Sequence, residues 1–406
     1  MSRILLAAAG VVLIGVAGLL FAVAPLTQPA PAPITQLAVP AAVKLPGRLP
    51  ALPWPRTGQA AVDVAGIGRI GTSGAQTPAP IASVTKMMTA YAILTAHPLR
   101  PGEAGPPLTV TAQQAAAYQG EAARSESVIP VRAGAVFTER QALTALMLPS
   151  ANNMARILGA WDSGSVPAFV AKMNAIAAVL GMDRTHYTDP SGFDPATVST
   201  APDQVVLAQQ AMQIPAFAEI VAQRTATVPM AGPVRNSNRL LGLDGVVGIK
   251  TGSTTQSGGC LVFAVRVRVA GVPVTIVGAV LGQPGTATPT QLANVFAAAQ
   301  LLVRAVPRVL ARYTVVAAGK PVALIRGPAG RGTLLATTGA LSVLGWPGLT
   351  VRFAPDIPPV PGHLAAGHEF GRLAVETGDR QTVSTALRSG EALVALNLWS
   401  RIATRT

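Results

Sequence analysis

Pro80-Ile81-Ala82-Ser83-Val84-Thr85-Lys86-Met87-Met88-Thr89-Ala90 places a serine three residues before a lysine, where helical spacing begins. Residues i and i+3 share a helix face, so the Ser83 hydroxyl and the Lys86 amine can meet. A serine is a weak nucleophile until a neighbouring base takes its proton. Lysine is also scarce: 31 basic residues include only Lys44, Lys86, Lys172, Lys250 and Lys320. The others are arginines, whose pKa is too high for base chemistry near neutral pH. Alone, Ser83 could equally be a helix cap.

Two further motifs follow in order. Pro149-Ser150-Ala151-Asn152 falls at a junction between two expected helices, where a turn can hold a hydroxyl and an amide over a cleft. Lys250-Thr251-Gly252-Ser253 lies at the end of a short strand expected from Gly245. A strand end can present a cation and a hydroxyl, and a glycine lets another group approach the backbone. Ser150 in isolation would be a cap and Lys250 a solvated strand end. The ordered set points to nucleophilic catalysis.

Outward from these motifs, the pattern predicts an early strand pair over Gln59 to Ile70, turning near Gly66 and Gly68. Helices are expected over Ala82 to Ala96, Glu139 to Leu148, Ala151 to Trp161 and Val166 to Leu180, the last closed by Gly181. Cys260 to Val269 and Val274 to Leu281 read as a hairpin, followed by a long helix over Thr288 to Val306. That order fits an α+β fold, an antiparallel sheet flanked by helices. Beyond Arg308, short strands predict a smaller β-rich module over 309–406, after a catalytic segment over 56–308.

The N-terminus carries a different signal. Ile4 to Val23 is 20 residues without a charge, enough to span about 30 Å as a helix. Arg3 before it orients the remainder outward. Residues 1–24 are therefore a transmembrane anchor or signal segment. Pro25 directly after Ala24 disfavours cleavage and favours a retained anchor. Prolines recur through 25–55, which reads as an extended linker reaching roughly 90 Å at most.

Composition narrows the chemistry. Half of the 406 residues are apolar and 12% are charged, which excludes a disordered chain. A net charge of +14 suits an anionic surface such as a membrane or wall polymer, or is a compositional bias towards arginine. Basic runs interleaved with aromatics are missing, so nucleic acid is not an expected partner. The four histidines have no zinc-site spacing, and no metal or other cofactor is implied. The single cysteine, Cys260, sits in an apolar run as a small buried hydrophobe and excludes an internal disulfide.

Ser83-x-x-Lys86, Ser150-x-Asn152 and Lys250-Thr251-Gly252 resemble the three motifs of the penicillin-binding and serine β-lactamase superfamily. Ala82 to Ala90, Ser150-Ala151-Asn152-Asn153 and Tyr187-Thr188-Asp189-Pro190-Ser191-Gly192-Phe193 more closely resemble the D-alanyl-D-alanine carboxypeptidases. The resemblance runs over about residues 56 to 308. It implies that Ser83 attacks the carbonyl between two D-alanines of a peptidoglycan pentapeptide. Lys86 would be the base and Ser150 a proton relay. Asn152 would hold the peptide amide, and Lys250 and Thr251 the free carboxylate. Gly252 would allow close approach, and the Ser83 and Ser253 N–H groups would form the oxyanion hole. β-Lactam inhibitors would be captured by the same serine, outside the cytoplasm at the membrane or wall. Asp189, Ser191 and Asn153 read as turn and helix-start residues.

A β-lactamase shares the motifs, but the best-known class needs a glutamate for deacylation. None occurs between Arg140 and Phe217. A catalytically idle wall-binding scaffold is the remaining alternative, and it would not need an intact Ser–Lys–Ser–Lys set.

Overall fold

The computed structural model describes residues 33–327, 332–360, 363–378 and 381–394. The apolar run from Ile4 to Val23 lies outside them. The chain divides into two compact units: residues 47–311 with 345–347, and residues 33–46 with 312–344 and the described residues from 348 on.

The first unit is built on a five-stranded sheet. Its strands are β1 (Gln59–Val64), β2 (Gly68–Ser73), β3 (Val246–Thr254), β4 (Gly258–Val269) and β5 (Val272–Gln283). They run β3-β4-β5-β1-β2, all antiparallel. The turn between β4 and β5 is only Ala270-Gly271, both at positive φ (48° and 78°). That is the mirror-image turn whose twist matches the strands it joins. Val272 and Pro273, expected in the turn, already pair with Val269 and Arg268.

Eight helices surround the sheet: α1 (Lys86–Ala96), α2 (Ala112–Ala123), α3 (Glu139–Met147), α4 (Asn152–Ser163), α5 (Val166–Val179), α6 (Ala201–Ala211), α7 (Pro215–Ala222) and α8 (Thr288–Val309). Local chemistry sets their ends. Thr111 and Thr138 begin α2 and α3 with reciprocal capping boxes to Gln114 and Gln141. Gly164, at φ +75°, ends α4. Ile93, Leu146, Leu158 and Phe169 pack with sheet residues such as Val262 and Val277 into one buried core.

Helix α8 is long and apolar enough to cross a membrane. Its buried residues Val295, Phe296, Ala299, Leu302, Val303 and Val306 recur at helical spacing, and they lie against β3, β4 and β5. One apolar stripe on a sheet is the pattern of a core helix.

The second unit is β-rich, as expected, and antiparallel. Its seven-stranded sheet runs Ile34–Leu37, Pro321–Arg326, Gly332–Thr337, Gln381–Ser389, Glu369–Thr377, Thr350–Asp356, Ala42–Lys44. The stretch expected to be a linker thus supplies both edge strands. Pro33, Pro40 and Pro46 bracket these strands instead of interrupting them, so every residue inside keeps its N–H for pairing. Proline frequency pointed to a spacer, whereas proline position permits pairing.

Candidate active site

Ser83 and Lys86 lie on a tight turn. Residues Ala82–Thr85 form a 3-10 helix that passes directly into α1, whose first residue is Lys86. Three residues per turn stack i on i+3, so the two side chains are brought into register. Lys86 Nζ stands 2.8 Å from Ser83 Oγ. Neither serine of the motifs is a helix cap: the residue before the 3-10 turn is Ile81, that before α4 is Ala151, and neither makes a side-chain cap. Ser150 Oγ is buried and has no hydrogen-bond partner among the described residues.

Two non-glycine residues here hold the left-handed backbone conformation, Ala82 at φ +47° and Ser150 at φ +67°. Such strain costs of order 1–3 kcal/mol each and persists only where the surroundings over-determine it. Gly192 supplies part of that constraint. A β-carbon there would stand 1.9 Å from the Ala82 carbonyl oxygen, and its φ is +76°.

The Lys86 amine is wholly buried and makes two further contacts, to Asn152 Oδ1 at 2.6 Å and to the Ser191 carbonyl at 2.8 Å. Burial pushes its pKa well below the ordinary lysine range, and the nearby Lys250 cation adds to the shift. The orientation of Asn152 is set on its other side, where Nδ2 donates to Glu126 Oε2 at 2.8 Å. Glu126 also accepts from Arg124 and Arg156. Burial alone would raise its pKa, but the hydrogen bonds from Asn152, Arg156 and Arg124 outweigh that and hold the carboxylate ionised.

Asp189 and Ser191 form a turn, as expected of them, and the turn also builds the site. The Asp189 carboxylate accepts from the backbone N–H groups of Ser191, Gly192 and Phe193 and from the Thr197 hydroxyl. Wrapped this way, the loop directs the Ser191 carbonyl at Lys86. Thr89 on α1 anchors it further through the Pro190 carbonyl, at 2.6 Å. Asn153 is structural: its side chain accepts from the Ile129 N–H and donates to the Ile129 carbonyl.

The Lys-Thr-Gly motif sits within β3, not at its end. Pairing with β4 continues through Lys250↔Val262 to Thr254↔Gly258. The strand reads as finished at the motif because its residues there face the site, not an apolar core. Gly252 lies against the nucleophile's turn: a β-carbon on it would stand 3.1 Å from the Ser83 nitrogen and 2.8 Å from the Ile81 carbonyl oxygen. Lys250 is buried, and its amine donates to the Thr251 carbonyl at 3.0 Å. Burial lowers its pKa to about 7. Thr251 is buried too, while the Ser253 hydroxyl turns away to donate to Gln291 on α8.

The structure therefore brings Ser83, Lys86, Asn152 and Gly252 together directly, with Ser150 and Lys250 on the adjoining segments. Glu126, Arg156, the Ser191 carbonyl and Gly192 were missed. Glu126 stands in a polar stretch with no periodic or motif signal, and a backbone carbonyl leaves no trace in residue type.

An antiparallel sheet that presses a Lys-Thr-Gly strand against a Ser-x-x-Lys turn is the arrangement of the serine DD-peptidases. The chain belongs to the D-alanyl-D-alanine carboxypeptidase family, whose model matches residues 62–282. It is 40% identical over 136 residues to a D-alanyl-D-alanine carboxypeptidase of Mycobacterium tuberculosis, covering 32% of this chain and 46% of that one. The chain thus spans about half the length of this curated relative. The Streptomyces K15 DD-transpeptidase structure is 28% identical with a TM-score of 0.53, covering 64% of this chain and 100% of that one. Penicillin-binding protein 5 of Haemophilus influenzae, 20% identical, shares the fold with a TM-score of 0.60 over 86% of this chain and 99% of that one.

Proposed function

We propose that this chain is a serine-type D-alanyl-D-alanine carboxypeptidase that trims the terminal D-alanine from peptidoglycan pentapeptides and is acylated by β-lactams at Ser83. The observation that carries this is the Lys86 amine, buried among two carbonyl oxygens and one hydroxyl. In the neutral form its two N–H groups go to the carbonyls and its lone pair is left for the Ser83 proton. Ser83 Oγ then attacks the penultimate carbonyl as Lys86 takes that proton. The tetrahedral intermediate collapses, and the departing D-alanine nitrogen receives a proton through Ser150, whose hydroxyl has no competing partner. Water hydrolyses the resulting ester and frees Ser83. Lys250 and Thr251 hold the substrate carboxylate, Asn152 its amide, and Gly252 lets the peptide lie along β3. The Ser83 and Ser253 N–H groups receive the oxyanion, each donor being worth about 3 kcal/mol.

The acids near Lys86 support a peptidase over a β-lactamase. The oxygens of Glu126 and Asp189 are already taken up by hydrogen bonds, which leaves neither free to activate a deacylating water. Export through the N-terminal apolar segment would place the site at the wall, next to its substrate.

D-Alanine release from a pentapeptide analogue, with and without penicillin, tests the function. Release that penicillin blocks and that Ser83→Ala abolishes is expected. Penicillin labelling that survives Ser83→Ala would remove the nucleophile assignment. Because a solved relative is named a DD-transpeptidase, the assay includes an acceptor amine, and a predominance of transferred product would make transfer the main reaction.

A further inference from the structure

Asparagine is nearly symmetric, and either end of its amide fits the same space. At Asn152 the two ends have opposite consequences. With Oδ1 towards Lys86, both N–H groups of a neutral amine are taken by oxygens that carry no hydrogen, Asn152 Oδ1 and the Ser191 carbonyl. The lone pair then faces Ser83. With the amide reversed, Nδ2 would donate into that lone pair, and the base would be occupied by its own neighbour.

Glu126 decides between the two. It has no exposed side-chain surface, and its ionised Oε2 lies 2.8 Å from Asn152 Nδ2. A reversed amide would set an oxygen against that carboxylate. Glu126 is itself fixed. Arg156 bridges Glu126 and Glu121 with 2.8 Å contacts to each, and Arg124 reaches the other Glu126 oxygen at 2.7 Å. The backbone is strapped down as well. Asn152 N–H donates to the Ser127 carbonyl at 2.7 Å, and Asn153 holds Ile129. Just before Glu126, Ser125 has φ +58°, a strained position that aims the next side chain inward.

We propose that Glu126 is a positioning residue for acylation: it locks the Asn152 amide with its oxygen towards Lys86, which leaves the amine's lone pair to Ser83. This rests on the peptidase function proposed above. Glu126 touches neither the nucleophile nor, by this account, the substrate, and acts through Asn152 alone. The charges felt by Lys86 are Lys250, Asp189, Arg156 and Glu126, so removing Glu126 also withdraws one of two neighbouring anions.

A double-mutant cycle tests it. The acylation rate by a fluorescent penicillin is measured from pH 5 to 10 on the full chain, as wild type, Glu126→Leu, Asn152→Ala and the double variant. Glu126→Leu should lower the plateau about a hundredfold, the lower end of what a positioned general base contributes. In the Asn152→Ala background the same change should cost less than about threefold, since effects routed through one residue are not additive. Equal losses in both backgrounds, or no loss in Glu126→Leu, would overturn the proposal. Glu126→Gln, close in shape, covers the case in which the leucine variant does not fold. Its acid limb should move to lower pH because an anion near Lys86 has gone, and an unmoved limb overturns the proposal too. Failure of the wild type to be acylated at all would instead sink the function itself.

Discussion

The backbone nitrogen of Ser83 lies 3.1 Å from the place a β-carbon on Gly252 would occupy. Two segments about 170 residues apart in the chain are thus in contact through the one residue type that permits it. The proposed oxyanion site and carboxylate site are both consequences of that approach.

Gly252→Ala should therefore disable acylation without unfolding the sheet. The new methyl would also meet the Ile81 carbonyl oxygen at 2.8 Å, and backbone atoms cannot rotate away. A fall of about ten- to a hundredfold in penicillin acylation is expected, the scale of an ångström misplacement. Acylation at the wild-type rate with an unchanged circular dichroism spectrum would show that the contact is not needed.

Lys86→Arg keeps a cation of similar reach but removes the base, because a guanidinium stays protonated. Its acylation should fall by about a hundredfold or more. In the wild type, rate should be lost as pH falls through the lowered Lys86 pKa, since only the neutral amine can accept the serine proton. Stopped-flow acylation across pH reads both. Substantial acylation of the arginine variant would rule out lysine as the base.

Lys250 should produce the alkaline limb. With a pKa near 7 in the free protein, it is charged below that pH and loses its attraction for a carboxylate above it. A D-Ala-D-Ala peptide should lose kcat/KM as pH rises, while an analogue lacking the terminal carboxylate should not. Lys250→Ala should erase the difference between the two. If both substrates share the limb, another group is responsible.

Glu139 should weaken the fold at neutral pH. It is fully buried, both its oxygens lack hydrogen-bond partners among the described residues, and burial, helped by Glu103, raises its pKa to about 7. The folded chain then holds a proton that the unfolded chain releases above about pH 4.5, so its contribution is complete below that value and fades up to about pH 7. Glu139→Gln should stabilise the protein at pH 8 by up to about 3 kcal/mol and have little effect at pH 4. Thermal melts at both values decide it, and equal shifts at the two would rule out titration as the cause.

The hairpin at Ala270-Gly271 and the Ser83–Lys86 pair were legible because their geometry is local: a two-residue turn and an i, i+3 stack depend on near neighbours. Misplaced limits had equally specific causes. The strand through Lys250 looked finished because its last residues face a site and lack the apolar alternation of a core strand. Residues 34–44 looked like a spacer because their edge partners, such as Arg326 and Thr350, lie some 300 residues away.

Residue identity and spacing alone settled the nucleophile, the base and the kind of fold, since each follows from short-range stereochemistry. Which way the Asn152 amide points, that a carbonyl at Ser191 completes the shell of Lys86, and that Glu126 belongs to the site were decided only when the chain closed. Those features depend on contacts between segments far apart in sequence, and no pattern along a single strand or helix encodes where a distant oxygen will come to rest.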